Sequence, residues 1–106
     1  MVLLGVRYFC AIDMKTFAFV FPGQGSQSVG MLDAWGDHSV VRDTLAEASA
    51  ALGQDLGLLI HAGSKEDLAL TTNTQPVMLV AAVAAYRVWR DAGGAAPAFV
   101  AGHSLG

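Results

Sequence analysis

Read for apolar and polar positions alone, the chain alternates strand-like and helix-like stretches. Phe17-Ala18-Phe19-Val20-Phe21 is apolar at every position, rich in aromatics and stopped by Pro22-Gly23. That pattern predicts a strand covered on both faces, as in a parallel sheet. Over residues 38–52 the apolar positions Val41, Leu45, Ala48 and Leu52 recur at helical spacing while Arg42, Asp43 and Glu47 turn elsewhere, and Gly53 is placed to end an amphipathic covering helix. A short helix over Leu56–Ala62 is expected next, and Ser64-Lys65-Glu66-Asp67 reads as a capping signal for one more turn or two. Thr74-Gln75-Pro76 reads as N-cap and helix start, because proline is tolerated where the amide has no intrahelical partner. The Ala-rich run to Asp91 is apolar nearly all round over its first ten residues, so a buried helix is expected before Gly93-Gly94. Pro97 then opens a second strand over residues 98–101. Strand, helices, buried helix, strand is the order of an α/β fold whose parallel sheet is joined by crossovers. No repeat, low-complexity tract or linker marks a second domain.

Composition changes this picture in one respect. The chain has 106 residues, of which 54% are hydrophobic and 14% charged. With a mean hydropathy of +0.48 it is rich in apolar material for a free-standing unit of its size. A formal net charge of −3 with scattered Lys and Arg gives no basic patch, so neither nucleic acid nor an anionic membrane is an expected partner. The single cysteine, Cys10, can form no internal disulfide and has no second Cys at metal-ligand spacing, which fits a reducing, cytoplasmic compartment. The opening MVLLGVRYFCAID lacks a basic leading region and a small-residue cleavage site, and Arg7 interrupts its apolar run, so it reads as an upstream extension rather than a signal peptide. The longest apolar stretch, residues 76–86, is shorter than the roughly 18–20 residues a membrane helix needs.

Chemistry concentrates at the ends of the two expected strands. Pro22-Gly23-Gln24-Gly25-Ser26-Gln27-Ser28-Val29-Gly30 follows the first, where α/β proteins place their sites. A dinucleotide fingerprint fails because position 28 is Ser, and a phosphate-binding P-loop fails because no Gly-Lys-Ser/Thr follows, which leaves a tight Gly23/Gly25 turn or an oxyanion loop. Gly102-His103-Ser104-Leu105-Gly106 follows the second strand and satisfies GxSxG, the turn that exposes a nucleophilic serine. Such a serine needs two donors for its tetrahedral intermediate, and the Leu105 and Gln24 amides fit those roles. His103 adjoins Ser104, but neighbouring side chains on a sharp turn diverge, so it is expected to pack or hydrogen bond rather than act as base. His38 and His61 read as surface residues of helical segments, and no Asp or Glu is placed by sequence as an orienting partner.

Three stretches, FAFVFPGQGSQSVGM, NTQPVMLVAAVAAYRVW and AGHSLG, in this order and spacing, resemble the malonyl-CoA:acyl carrier protein transacylases, the malonyltransferases of bacterial fatty-acid synthesis. The resemblance covers residues 15–106 and places Met14 where the family usually begins. It implies an upstream extension over residues 1–13 and, over residues 14–106, the amino-terminal part of an α/β-hydrolase-like acyltransferase subdomain with a parallel sheet. The family's ferredoxin-like small subdomain is then expected to lie outside the chain. The resemblance makes Ser104 the acylated nucleophile, Gln24 and Leu105 the oxyanion donors, Gln75 a residue lining the site near the acyl group, and His103 a substrate-binding neighbour of the nucleophile. It implies malonyl-CoA and acyl carrier protein as partners, with no metal or bound cofactor. The family's base and the Arg that pairs with the malonyl carboxylate fall later than Gly106, so these residues alone are expected to be inactive. Acyltransferase domains of modular polyketide synthases share the pattern, usually behind a ketosynthase and linker. Two other readings stay open at this point: an α/β-hydrolase esterase or lipase, whose oxyanion loop would carry His-Gly-Gly-Gly, and a non-enzymatic remnant.

Overall fold

The aromatic run near the start of the chain places its odd-numbered side chains on one face of a strand, and that face meets a helix. The computed structural model describes residues 16–106 together with the backbone of the strand Val2–Leu4. In chain order the elements are β1 (Val2–Leu4), β2 (Ala18–Phe21), a single 3-10 turn (Asp33–Trp35), α1 (Ser39–Leu52), α2 (Leu56–Ala62), α3 (Lys65–Ala69), α4 (Thr71–Asp91) and β3 (Phe99–Gly102). Cys10 and the expected start at Met14 lie outside the described residues.

The strands form one sheet in the order β1-β2-β3. β2 and β3 are parallel, with Ala18 opposite Phe99 and Phe21 opposite Gly102. β1 adds antiparallel to the other edge of β2, with Val2 opposite Val20, so the described sheet is mixed rather than wholly parallel. The fold is α/β as expected, but the strands are not buried on both faces. Only Phe19 of β2 is buried, at 1% exposure, because α4 covers one face: its Tyr86 and Trp89 rings meet Phe19 edge-on at 5.4 and 5.9 Å. β3 begins one residue later than the apolar run suggests, and every residue of it is exposed, Phe99 at 69%. It has β2 on one side and no described element over its faces.

The helix ends follow local chemistry closely. α1 starts after His38, whose Nδ1 accepts from the Val40 amide at 3.2 Å, and stops at Gly53, which adopts φ 66°. The Asp55 carboxylate caps α2 through the Leu58 amide at 3.0 Å, and the Ser64 hydroxyl caps α3 through the Asp67 amide at 3.0 Å. Along α1, Val41 is buried and Leu45 and Ala48 are partly buried as their spacing requires, whereas Leu52 on the last turn is exposed. Thr44 takes a buried place in the stripe by bonding back to the Val40 carbonyl at 2.7 Å and accepting from Arg87 at 3.2 Å.

α4 departs most from the sequence pattern. It begins at Thr71, so Thr74 and Pro76 lie inside it rather than at its start. Proline at this depth has no amide to donate to the Thr72 carbonyl, a loss placed on the first, exposed turn of the helix. Thr74 is fully buried, and its hydroxyl lies within hydrogen-bond reach of the Leu68 and Leu70 carbonyls, tying α4 to the end of α3. The helix is not buried all round: Val77, Met78, Val80, Ala84 and Ala85 face inward, while Gln75 and Leu79 are exposed. Val77, Val80 and Ala84 join Leu32, Val41, Leu56, Ile60 and Leu68 in the core shared by the four helices. Thr74→Val is expected to destabilise the protein by about 1–2 kcal/mol despite its similar volume, since it strands the buried Leu68 carbonyl, whereas the Leu70 carbonyl keeps the Asn73 and Thr74 amides. Urea unfolding checks this, and an unchanged midpoint would show that the hydroxyl does not hold the α3–α4 junction.

Candidate active site

Because β2 and β3 are parallel neighbours, the segments that follow them leave the sheet at the same carboxyl edge. Pairing runs one step past the strands, where the His103 amide donates to the Phe21 carbonyl at 3.1 Å. The chain then turns sharply, with the Gly106 amide donating to the His103 carbonyl at 3.0 Å. Ser104 sits at the apex with φ 56°, the only non-glycine at positive φ among the described residues. That conformation costs a β-carbon-bearing residue on the order of 1–2 kcal/mol, and a serine that retains it is held by its surroundings.

The surroundings explain the two glycines of the motif. A Cβ on Gly102 would land on the Gly106 backbone, and one on Gly106 would land on the backbone of Phe21 and Pro22. The turn can close against β2 only if both are glycine. The loop after β2 comes equally close. Gly23 is buried, and a Cβ there would lie 2.6 Å from the His103 carbonyl oxygen and 3.3 Å from the Ser104 Cβ.

Gln24 follows Gly23 on an exposed turn that Gln27 closes by accepting from the Gly25 amide at 2.8 Å. Among the described residues neither the Gln24 amide nor the Leu105 amide donates a hydrogen bond. α4 runs back along the sheet, with Trp89 beside Phe17 and Met78 and Leu79 beside Phe21, Leu105 and Gly106 around an open cleft of about 410 Å³. Its first turns therefore stand at the same edge, and Gln75 is exposed there one turn before Met78 and Leu79.

The histidines separate clearly. His103 is exposed, and its Nδ1 would lie 3.3 Å from a Cβ on Gly23, so its ring leans over the loop. No hydrogen bond joins it to Ser104 among the described residues. His38 caps α1, a role its sequence position concealed. His61 is a surface residue as expected, but it has a partner that the sequence did not indicate: its Nδ1 lies 2.9 Å from Oδ1 of Asp33. The contact of Gly23 with the elbow was also missed, although a Pro-Gly directly after one strand and GxSxG directly after its expected neighbour were a signal for it. Among the described residues no three His, Cys, Asp or Glu side chains gather as metal ligands, and no helix is long and apolar enough to cross a membrane.

A strained serine on a strand-to-helix type of turn, facing a glycine loop at the carboxyl edge of a parallel strand pair, is the apparatus of serine acyl transfer. Residues 18–106 match the acyl transferase domain, and the chain belongs to that family. Within it, relatives of this chain include malonyl CoA-acyl carrier protein transacylases. That of Escherichia coli (strain K12) is 60% identical over 94 residues, 88% of this chain and 30% of the relative. That of Bacillus subtilis (strain 168) is 39% identical over the same share of this chain and 29% of its own. Among solved structures, an acyl-carrier-protein S-malonyltransferase from Burkholderia pseudomallei 1710b superposes with a TM-score of 0.85 at 70% identity, over 87% of this chain and 30% of that one. A type II PKS acyl-carrier protein in complex with its malonyl-transacylase superposes with a TM-score of 0.82 at 54% identity, over 87% of this chain and 30% of that one. The chain thus spans about 30% of the length of the Escherichia coli and Burkholderia pseudomallei proteins.

Proposed function

We propose that the protein is a malonyltransferase that carries a malonyl group from coenzyme A to the phosphopantetheine thiol of acyl carrier protein through an ester on Ser104. The observation that carries this reading is the elbow itself: Ser104 at φ 56°, braced by Gly102, Gly106 and the Gly23 loop. In the first half-reaction the Ser104 oxygen attacks the thioester carbonyl, the C–O bond forms, the C–S bond breaks, and coenzyme A departs as the thiol with the serine proton. In the second, the phosphopantetheine sulfur attacks the ester carbonyl, a C–S bond forms, the C–O bond to Ser104 breaks, and the proton of the thiol returns to the serine oxygen. The Gln24 and Leu105 amides hold the oxyanion in both steps, Gln75 borders the acyl group and His103 borders the substrate. The resemblance puts the general base, the Arg that pairs with the malonyl carboxylate, and the small ferredoxin-like subdomain outside these 106 residues. Neither half-reaction calls for a metal or bound cofactor, and a cytoplasmic setting follows from the soluble thioesters involved.

The test is the full-length protein incubated with labelled malonyl-CoA and phosphopantetheinylated acyl carrier protein. Label is expected first on the enzyme and then on the carrier, and His103→Ala is expected to remain able to form the acyl-enzyme, seen by intact-mass spectrometry. Free malonate without carrier loading would instead indicate a thioesterase. A complete loss of acylation in a folded His103→Ala protein would make His103 the base.

A further inference from the structure

The loop that carries Gln24 is anchored at two places. Its first residues press on the elbow through Gly23. Its far end is fastened to α2, where the Gly30 amide donates to the Ile60 carbonyl at 2.7 Å and the Asp33 carboxylate meets His61 at 2.9 Å. Between these anchors the hydrogen bonds are short-range, Ser26 to Gly23 at 3.4 Å, Gly25 to the Gln27 side chain, Met31 to Ser28 at 3.2 Å and Asp33 to Gly30 at 2.9 Å, while Met31 and Leu32 pack on the helical core. Ile60 is a core residue, so α2 gives the loop a fixed base, and the Asp33–His61 pair lies at the exposed margin of that attachment.

We infer that Asp33 and His61 are positioning residues for acyl transfer: their ion pair ties the far end of the oxyanion loop to α2 and so sets where the Gln24 amide stands, in proportion to the protonation of His61. The inference rests on the malonyltransfer reading. The His61 pKa is raised above its ordinary 6.5, first by the hydrogen bond to Asp33 and then by the carboxylate's charge. Asp33 is the one charged group that acts on His61 among the described residues. From α1 the neutral Leu45 and Ser49 meet α2 at Gly57 and the Leu56 amide, and Lys65, Glu66 and Asp67 lie beyond Gly63 on exposed positions of α3. A raised pKa means the charged pair is whole below about 6.5 and is lost as pH rises through the raised value. Both side chains are exposed, so the effect is modest.

The experiment compares the full-length wild type with His61→Ala, Asp33→Asn and His61→Asn over pH 5.5–9, measuring kcat and KM for malonyl transfer and amide hydrogen exchange of residues 24–35. Wild type is expected to exceed His61→Ala by about two- to fivefold in kcat below pH 6.5, with little change in KM, and the ratio is expected to close to one above the raised pKa. Asp33→Asn should behave like His61→Ala. His61→Asn, which places an amide near the lost Nδ1, should recover part of the rate without its pH dependence. Exchange over residues 24–35 should be faster in His61→Ala at low pH. Variants that match wild type in rate and exchange at every pH would overturn the inference. If the wild type transfers no malonyl group, the proposed function fails, and hydrogen exchange on the same samples still decides whether the pair holds the loop.

Discussion

Ser104→Ala in the full-length protein is expected to abolish the malonyl-enzyme and to lower carrier loading by about 10⁴- to 10⁶-fold. The range reflects what serine enzymes lose with their nucleophile while the oxyanion donors and substrate contacts remain. Intact-mass spectrometry after malonyl-CoA treatment reads the first effect and a carrier-loading assay the second. An acyl adduct that survives the substitution would move the nucleophile elsewhere. The backbone makes a second, opposite expectation for stability. At φ 56° glycine is comfortable and serine is not, so Ser104→Gly should be as inactive as the alanine variant yet more stable than wild type by about 1 kcal/mol. Thermal unfolding that showed the glycine variant to be less stable would mean that the conformation is not a strained one.

Gly23→Ala carries the next largest effect. Its new methyl group would meet the His103 carbonyl at 2.6 Å and the Ser104 Cβ at 3.3 Å, both parts of a turn already closed against β2. Backbone cannot yield as the tip of a side chain can, so the loop must lift away from the elbow. Overpacking of this kind costs about 1–3 kcal/mol. Displacing the adjacent Gln24 amide from the oxyanion should reduce kcat by about 10²- to 10³-fold, the usual consequence of losing one such donor. The two readouts are unfolding and steady-state carrier loading. A folded Gly23→Ala protein with near-normal kcat would remove Gln24 from the oxyanion site.

The parts of this fold that could be read from sequence are those decided by neighbours in the chain. Gly53 ends α1, Ser64 caps α3, and α2 occupies the residues its pattern predicts. GxSxG could be read as a pattern, and Gly102 answers to a turn only five residues long, although Gly106 answers to the distant backbone of Phe21 and Pro22. What could not be read depends on contacts made at a distance. Thr74 and Pro76 imitate a helix start, but the buried hydroxyl of Thr74 serves the α3–α4 junction instead, and the helix begins a turn earlier. The apolar runs of β2 and β3 suggest full burial, whereas burial is a property of what lies over a strand, and among the described residues only α4 does so. Asp33 and His61 stand 28 residues apart, and neither lies on a periodic face that could have announced the pair.

The pairing of Ala18 with Phe99 spans most of the chain, whereas α1 meets α2 and α3 meets α4 across short connections, and even the α1–α4 contact of Glu47 with Arg87 spans half that distance. Local contacts form quickly, and pairing between distant strands waits for the intervening loop to close. The serine turn rests on β2, so it acquires its shape only when that last pairing forms. A half-folded chain therefore carries an ordinary, unreactive hydroxyl at position 104. On the proposed malonyltransfer reading, the geometry that Ser104 needs for attack on a thioester arrives only with the completed sheet.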